Sequence, residues 1–142
     1  MKNNKGFSLV ELIIVIAIMA ILAGALAPAL IKYINKSRKS TDISNGDLIA
    51  KAVTTALAEE AGFEACKKTA YTSTELCTDG DAFTDETHST LGATSMKVKY
   101  GDKKGQDFSI KVDKANNKCI VYAGTDAKDE NKVYPEQGKN YK

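Results

Sequence analysis

From Leu12 to Ile31 the chain runs for twenty residues without a charged or hydrogen-bonding side chain. As a helix that run is roughly 30 Å long, the thickness of a bilayer's hydrocarbon core. Buried helices of soluble proteins are usually shorter and keep a polar face, so the pattern predicts a segment that enters a membrane. Past Lys32 the rhythm changes. Ile34, Ile43, Leu48, Ile49, Ala52, Val53, Ala56 and Leu57 recur mostly at three- and four-residue spacing. Lys51, Thr54, Thr55, Glu59 and Glu60 fall largely on the other side, which predicts an amphipathic helix over 32–62. Gly62 suits its end, because glycine accepts the left-handed turn that closes helices. Ser44-x-x-Asp47, with Gly46 between them, offers an alternative: a fresh helix with a serine cap and an acid in its first turn. Gly24 and Pro28 weaken the apolar stretch locally, since proline removes an amide donor and glycine loosens the backbone.

Residues 63–93 are rich in Thr, Ser, Asp and Glu and have no clear period, which predicts a long, partly ordered connection. Over 94–142 three short alternating runs follow. Met96–Tyr100 turns through Gly101–Gly105 into Phe108–Val112, and Asn116-Asn117 leads on to Cys119–Tyr122. Period-two alternation puts Met96, Val98, Tyr100, Phe108, Ile110 and Val112 on one face. The tail from Thr125 is polar, with Tyr134, Pro135 and Tyr141 as its sizeable side chains. The economical architecture is an α+β fold in which an antiparallel meander lies on the amphipathic helix.

Charge sharpens the division. Residues 32–142 hold 18 of the 20 basic and 17 of the 18 acidic groups, a net of +1 for the head. No strong basic field invites nucleic acid, and a chain that is 43% hydrophobic is not dominated by disorder. About 110 residues beyond the apolar run are enough for one small core. One His and three Cys without a CxxC pair argue against a zinc site. His88 stands in a polar stretch with no local motif that supplies a nucleophile and an orienting group. No glycine-rich loop follows a strand and opens a helix, so nucleotide phosphate has no recognisable cradle. Asp79, Asp81, Asp85 and Glu86 miss the EF-hand spacing and read as a solvated loop. The sequence points to no enzyme and no cofactor.

Met1–Gly6 is a short basic start to the apolar run. A secretory signal peptide would use the small residues around Ala25–Ala27 for cleavage. Pro28 would then lie immediately beyond the cut, and Glu11 sits at the front of the run. An uncleaved single-pass anchor is the other simple alternative. Glu11 most needs explaining, because a carboxylate at the hydrocarbon boundary costs a few kcal/mol and persists mostly where a partner neutralises it. One explanation is that it lies at headgroup level. Another follows from a cut before Phe7: the freed α-amino group would be a cation four residues away. In a bundle of identical helices, each Glu11 would then pair with a neighbour's amino terminus.

Lys5-Gly6-Phe7-Ser8-Leu9-Val10-Glu11-Leu12, followed by the apolar run, resembles the class III signal of type IV prepilins. The resemblance is specific over 5–31 and looser beyond. It implies a leader of residues 1–6 cut between Gly6 and Phe7 by a prepilin peptidase, with N-methylation of Phe7. It implies that 7–31 serves first as a transmembrane anchor in lipid and then as a filament core, with Glu11 in the assembly role. The six-residue leader fits the type IVa pattern. The resemblance also favours one continuous helix from Phe7 to about Glu60, roughly 80 Å long. It makes 63–93 the αβ-loop and Gly24 and Pro28 points where the helix stretches as subunits pack. An exported head meets oxidising conditions, so Cys66 and Cys77 form a candidate disulfide worth about 2–3 kcal/mol. Cys119 reads as a buried free thiol. No cysteine follows it, so the cysteine-bracketed C-terminal region of many pilins has no counterpart here.

One count runs the other way. Lys32, Lys36, Arg38 and Lys39 follow the apolar run against Lys2 and Lys5 before it, and positive-inside counting alone would keep the head in the cytoplasm. The motif takes precedence, because the leader must face its peptidase. The expected protein is a structural subunit, a major pilin, which waits in the cytoplasmic membrane. The pilus assembly machinery then polymerises it with copies of itself into a cell-surface filament for adhesion, motility or aggregation. The alternatives are a minor pilin or pseudopilin of type II secretion or DNA uptake, or a membrane-tethered binding module that never polymerises.

Overall fold

The computed structural model describes residues 6–92 and 95–142. Positions 1–5 of the expected leader, Lys2 and Lys5 among them, and the expected loop–sheet boundary at 93–94 lie outside the described residues. The chain forms two units, Met1–Lys36 and Ser37–Lys142. One helix, α1 (Leu9–Ala58), runs through the end of the first and the start of the second without interruption. The alternative start at Ser44–Asp47 is therefore not used.

From Leu12 to Ile31, within the first unit, α1 is apolar on all sides and exposed throughout. Leu9, Ile21 and Leu26 are 73%, 72% and 65% exposed. Gly24 and Pro28 both lie inside the unbroken helix.

The second unit is the head. After α1 come α2 (Glu60–Ala65), β1 (Ala70–Thr72), α3 (Ser73–Leu76), α4 (Ala82–Leu91), β2 (Phe108–Asp113), β3 (Lys118–Ala123) and β4 (Lys132–Tyr134). The strands form one antiparallel sheet in the order β1-β2-β3-β4. Along β2, Phe108, Ile110 and Val112 are buried while Lys111 and Asp113 face water, the alternation expected of a sheet with one covered face. Ile49, Val53 and Ala56 of α1 join Phe108, Ile110, Val121 and Val133 in a single apolar core. Phe83 of α4 is also fully buried in it, with its ring 5.0 Å from that of Tyr71.

Several expectations need correction. Leu48 and Ile34 are 47% and 40% exposed, off the buried stripe that their spacing suggested. The first helix ends at Ala58 rather than Gly62, because the extended backbone of Glu59 breaks it and starts α2. Gly62 is buried inside α2, where any Cβ would collide with the carbonyl oxygen of Ala56. The stretch read as a partly ordered loop contains α2's end, β1, α3 and α4. Two reciprocal caps organise it: Thr72 with Glu75, and Asp81 with Thr84.

Met96–Tyr100 buries the expected Met96 and Val98 but is not a strand. Its ladder is a single bridge, Lys97 to Asp107. The reason lies in who takes its amides: Lys99 and Tyr100 donate theirs to the Asp42 carboxylate. In place of this run, β1 and β4 complete the sheet.

Candidate functional site

The N-terminal turn of α1 is organised by two short polar side chains. Ser8 precedes the helix, and its Oγ accepts the amide of Val10 at 3.3 Å. Its own amide donates to Glu11 Oε2 at 2.9 Å. This is a reciprocal cap, in which a serine and a glutamate three residues on satisfy the free amides of a helix start. The carboxylate also suits the positive end of the helix dipole. Glu11 therefore has a local role that its charge and position alone did not disclose, although Ser8-x-x-Glu11 is a legible capping signature. Phe7 is 90% exposed beside it. Beyond the adjoining backbone, Gly6 and Gly24 have no atom within 4 Å of where a Cβ would stand. Nothing in this chain's own packing requires glycine at either place.

Residues 6–11 and the exposed apolar helix thus form one continuous feature: a capped start with a carboxylate, then a surface that its own chain leaves bare. Part of α1 is long and apolar enough to cross a membrane, and none of that window is buried.

In the head, the polar groups are committed to the fold. Asp42 is fully buried on α1. One of its oxygens accepts the Lys99 amide at 2.7 Å; the other accepts the Tyr100 amide at 2.9 Å and the Tyr141 hydroxyl at 3.0 Å. Burial pushes its carboxyl above the usual range, with these hydrogen bonds opposing. Ser73 is equally buried, and its hydroxyl lies 2.7 Å from the Met96 carbonyl and 2.9 Å from Asp107 Oδ1 while accepting the Phe108 amide. Burial raises the Asp107 carboxyl, but hydrogen bonds from Thr74, Lys97 and Ser73 outweigh it and hold the group below its ordinary value. Neither node is announced by a local motif. A lone Asp among helical apolar positions was the available signal for the first.

The remaining candidates disperse. Cys66, Cys77 and Cys119 are buried free thiols, so the candidate Cys66–Cys77 bridge is not formed in this structure. Cys66 Sγ instead accepts the Tyr71 hydroxyl at 3.6 Å, while Cys77 closes α3. Burial pushes the Cys119 thiol up to about 11, and that of Cys77 upward, which disfavours the thiolate form that reactive cysteines use. His88 pairs with Asp79 at 2.6 Å on the surface near the end of α4. Asp81 caps that helix and Asp85 accepts the Gly80 amide, so two of the four acids, Asp79, Asp81, Asp85 and Glu86, are spent on backbone. Among the described residues no three His, Cys, Asp or Glu side chains gather as a metal site.

Residues 1–27 match the family of the prokaryotic N-terminal methylation motif. No curated protein and no solved structure matches the chain. The motif implies processing by a prepilin peptidase in a pilus-assembly context. With the bare apolar helix, it fits a membrane-anchored precursor. The chain carries the class III signal of type IV pilins at the head of a pilin-like α+β fold, which supports a type IV pilin-like or pseudopilin protein.

Proposed function

We propose that this chain is a structural subunit of a type IV pilus, a major pilin, cut between Gly6 and Phe7, N-methylated on Phe7 and polymerised with its own copies. The single observation that carries the proposal is the motif-bearing helix start joined to an apolar surface its own chain leaves uncovered. Such a surface must be covered by lipid or by other subunits, because exposed apolar area is unfavourable in water at about 25 cal/mol per Å2. Lipid covers it before assembly. In the filament, sibling helices replace the lipid, and each Glu11 pairs with a neighbour's amino terminus. Gly24 and Pro28 let the helix stretch during that packing.

The deciding measurement is the intact mass and N-terminus of the protein in filaments sheared from cells that express it. A chain that begins at methylated Phe7 and dominates the fraction establishes the major pilin. A processed but scarce chain makes it a minor pilin or pseudopilin. A chain that keeps Met1 and is absent from filaments is a tethered module, and sinks the proposal. Gly6→Asp is expected to leave an unshifted precursor band.

A further inference from the structure

The cations that follow the apolar run are not explained by the fold. No acidic residue occurs between Glu11 and Asp42, while Lys32, Lys36, Arg38 and Lys39 fall in that interval. Lys32 and Lys36 therefore lack the acid three or four residues away that usually neutralises a helix-surface charge, and Arg38 and Lys39 have only Asp42 at that spacing. Asp42 is buried and taken by three donors. Lys39 is occupied too, with its Nζ 4.9 Å from the centre of the Tyr100 ring. Lys32, Lys36 and Arg38 remain exposed, and among the described residues none of the three reaches a carboxylate; of these, Lys32 and Lys36 stand nearest the apolar run.

Their position along α1 gives them a use. From Leu9 to Ile31 the helix rises roughly 34 Å, slightly more than a hydrocarbon core of about 30 Å. Lys32 stands one residue beyond that span, within the headgroup layer, and Lys36 is one turn further out, roughly 7 Å beyond Ile31, at the outer edge of a layer about 5–7 Å thick on each side. Four residues apart, they share one helix face. Tyr33, next to them, is 72% exposed, and a ring with one polar end belongs at the same depth. Flexible lysine stems let ammonium groups reach phosphate while the helix core stays in hydrocarbon.

We propose that Lys32, Tyr33 and Lys36 form a collar that selects anionic phospholipids around the anchored precursor, through their headgroup phosphates. The collar rests on the membrane-anchored reading above and adds the chemistry of its lipid partner. It also gives a role to the basic residues that run against positive-inside counting. They hold the chain to an anionic leaflet at the head side and release it when the helix leaves lipid.

The test uses the full chain reconstituted in phosphatidylcholine vesicles holding trace spin-labelled phosphatidylglycerol or phosphatidylcholine. The immobilised fraction of each label reports which lipid the helix prefers. The expected result is a severalfold preference for phosphatidylglycerol, weakened by salt as lysine–phosphate attraction is and reduced to near parity in the Lys32→Gln/Lys36→Gln double variant. Immobilised lipid with no headgroup preference, or a preference untouched in the double variant, overturns the collar and leaves the anchor standing. No immobilised lipid of either kind overturns the anchor as well. Inorganic phosphate that abolishes the preference more strongly than chloride at equal ionic strength would assign the collar to free phosphate and overturn the lipid source. A double variant that keeps its lipid preference but forms no filaments would place the lysines at a subunit contact, and likewise overturns the proposal.

Discussion

Tyr141 donates its hydroxyl to the carboxylate of Asp42, 3.0 Å away and 99 residues earlier in the chain. The same carboxylate takes the amides of Lys99 and Tyr100, so one side chain on α1 holds the segment before β2 and the end of the tail. The Tyr100 and Tyr141 rings pack edge to face with their centres 5.9 Å apart, which adds an aromatic contact to the same node.

Asp42→Ala orphans three donors in a buried site and is expected to cost about 2–4 kcal/mol, since unmade buried hydrogen bonds are more expensive than made ones are favourable. Tyr141→Phe removes one donor and should cost about 1 kcal/mol. Urea unfolding of the full chain in detergent, followed by tyrosine near-ultraviolet dichroism, measures both. Equal and small effects would show that the node does not hold the head.

The pH dependence has two arms of opposite sign. Asp42 is raised by burial, so its contribution is present below the unfolded carboxyl's range and is lost as pH rises through its folded value. Glu75, held down by Lys68, and Asp107, held down by its hydrogen bonds, contribute above the unfolded range and lose that contribution as pH falls through their folded values. Relative to wild type, Asp42→Asn should therefore gain stability as pH rises from mildly acid to neutral. Asp107→Asn should flatten the loss of stability in acid. Unfolding midpoints at a series of pH values test both slopes.

Gly46 is buried on α1, and a Cβ built there would lie 2.7 Å from Cγ2 of Val133 in β4. Val133 is β-branched and fully buried, so it has little freedom to move aside. Gly46→Ala should gain about 1 kcal/mol of helix propensity and lose about 1–3 kcal/mol to overpacking, a net destabilisation. Val133→Ala in the same chain should relieve the clash, so that the double variant costs less than the two single changes together. Strict additivity in a double-mutant cycle would contradict the contact.

What was legible in the sequence follows from how each feature is encoded. The apolar run and the buried stripe of Ile49, Val53 and Ala56 repeat at helical spacing, and β2 alternates cleanly, so each announces itself locally. The Met96–Tyr100 run alternates just as well and still is not a strand. Its amides are claimed by Asp42, more than fifty residues away, and no local pattern carries that information. Strands β1 and β4 have three residues each, too short for a period to register. By contrast, Thr72-x-x-Glu75 and Ser8-x-x-Glu11 are local capping signatures, the first set in a polar stretch without a period and the second at the edge of the apolar run, where a carboxylate equally suits a charged partner. Gly46 looked like a helix break when its cause is a side chain on a distant strand.

Glu11 thus has two candidate roles, and one substitution separates them. As a cap it needs only an acceptor for the Ser8 amide, which glutamine supplies as well as glutamate. As the partner of a neighbour's amino terminus it needs a negative charge, since an uncompensated ammonium group in the apolar interior of a bundle is costly. Glu11→Gln should leave the helix start and the folded head intact, with unchanged circular dichroism in detergent, and yet yield few or no filaments in sheared fractions. Glu11→Val removes cap and charge together and should fail at least as severely. If Glu11→Gln assembles normally while Glu11→Val does not, the cap is what assembly requires, and the ion pair with a neighbour is not.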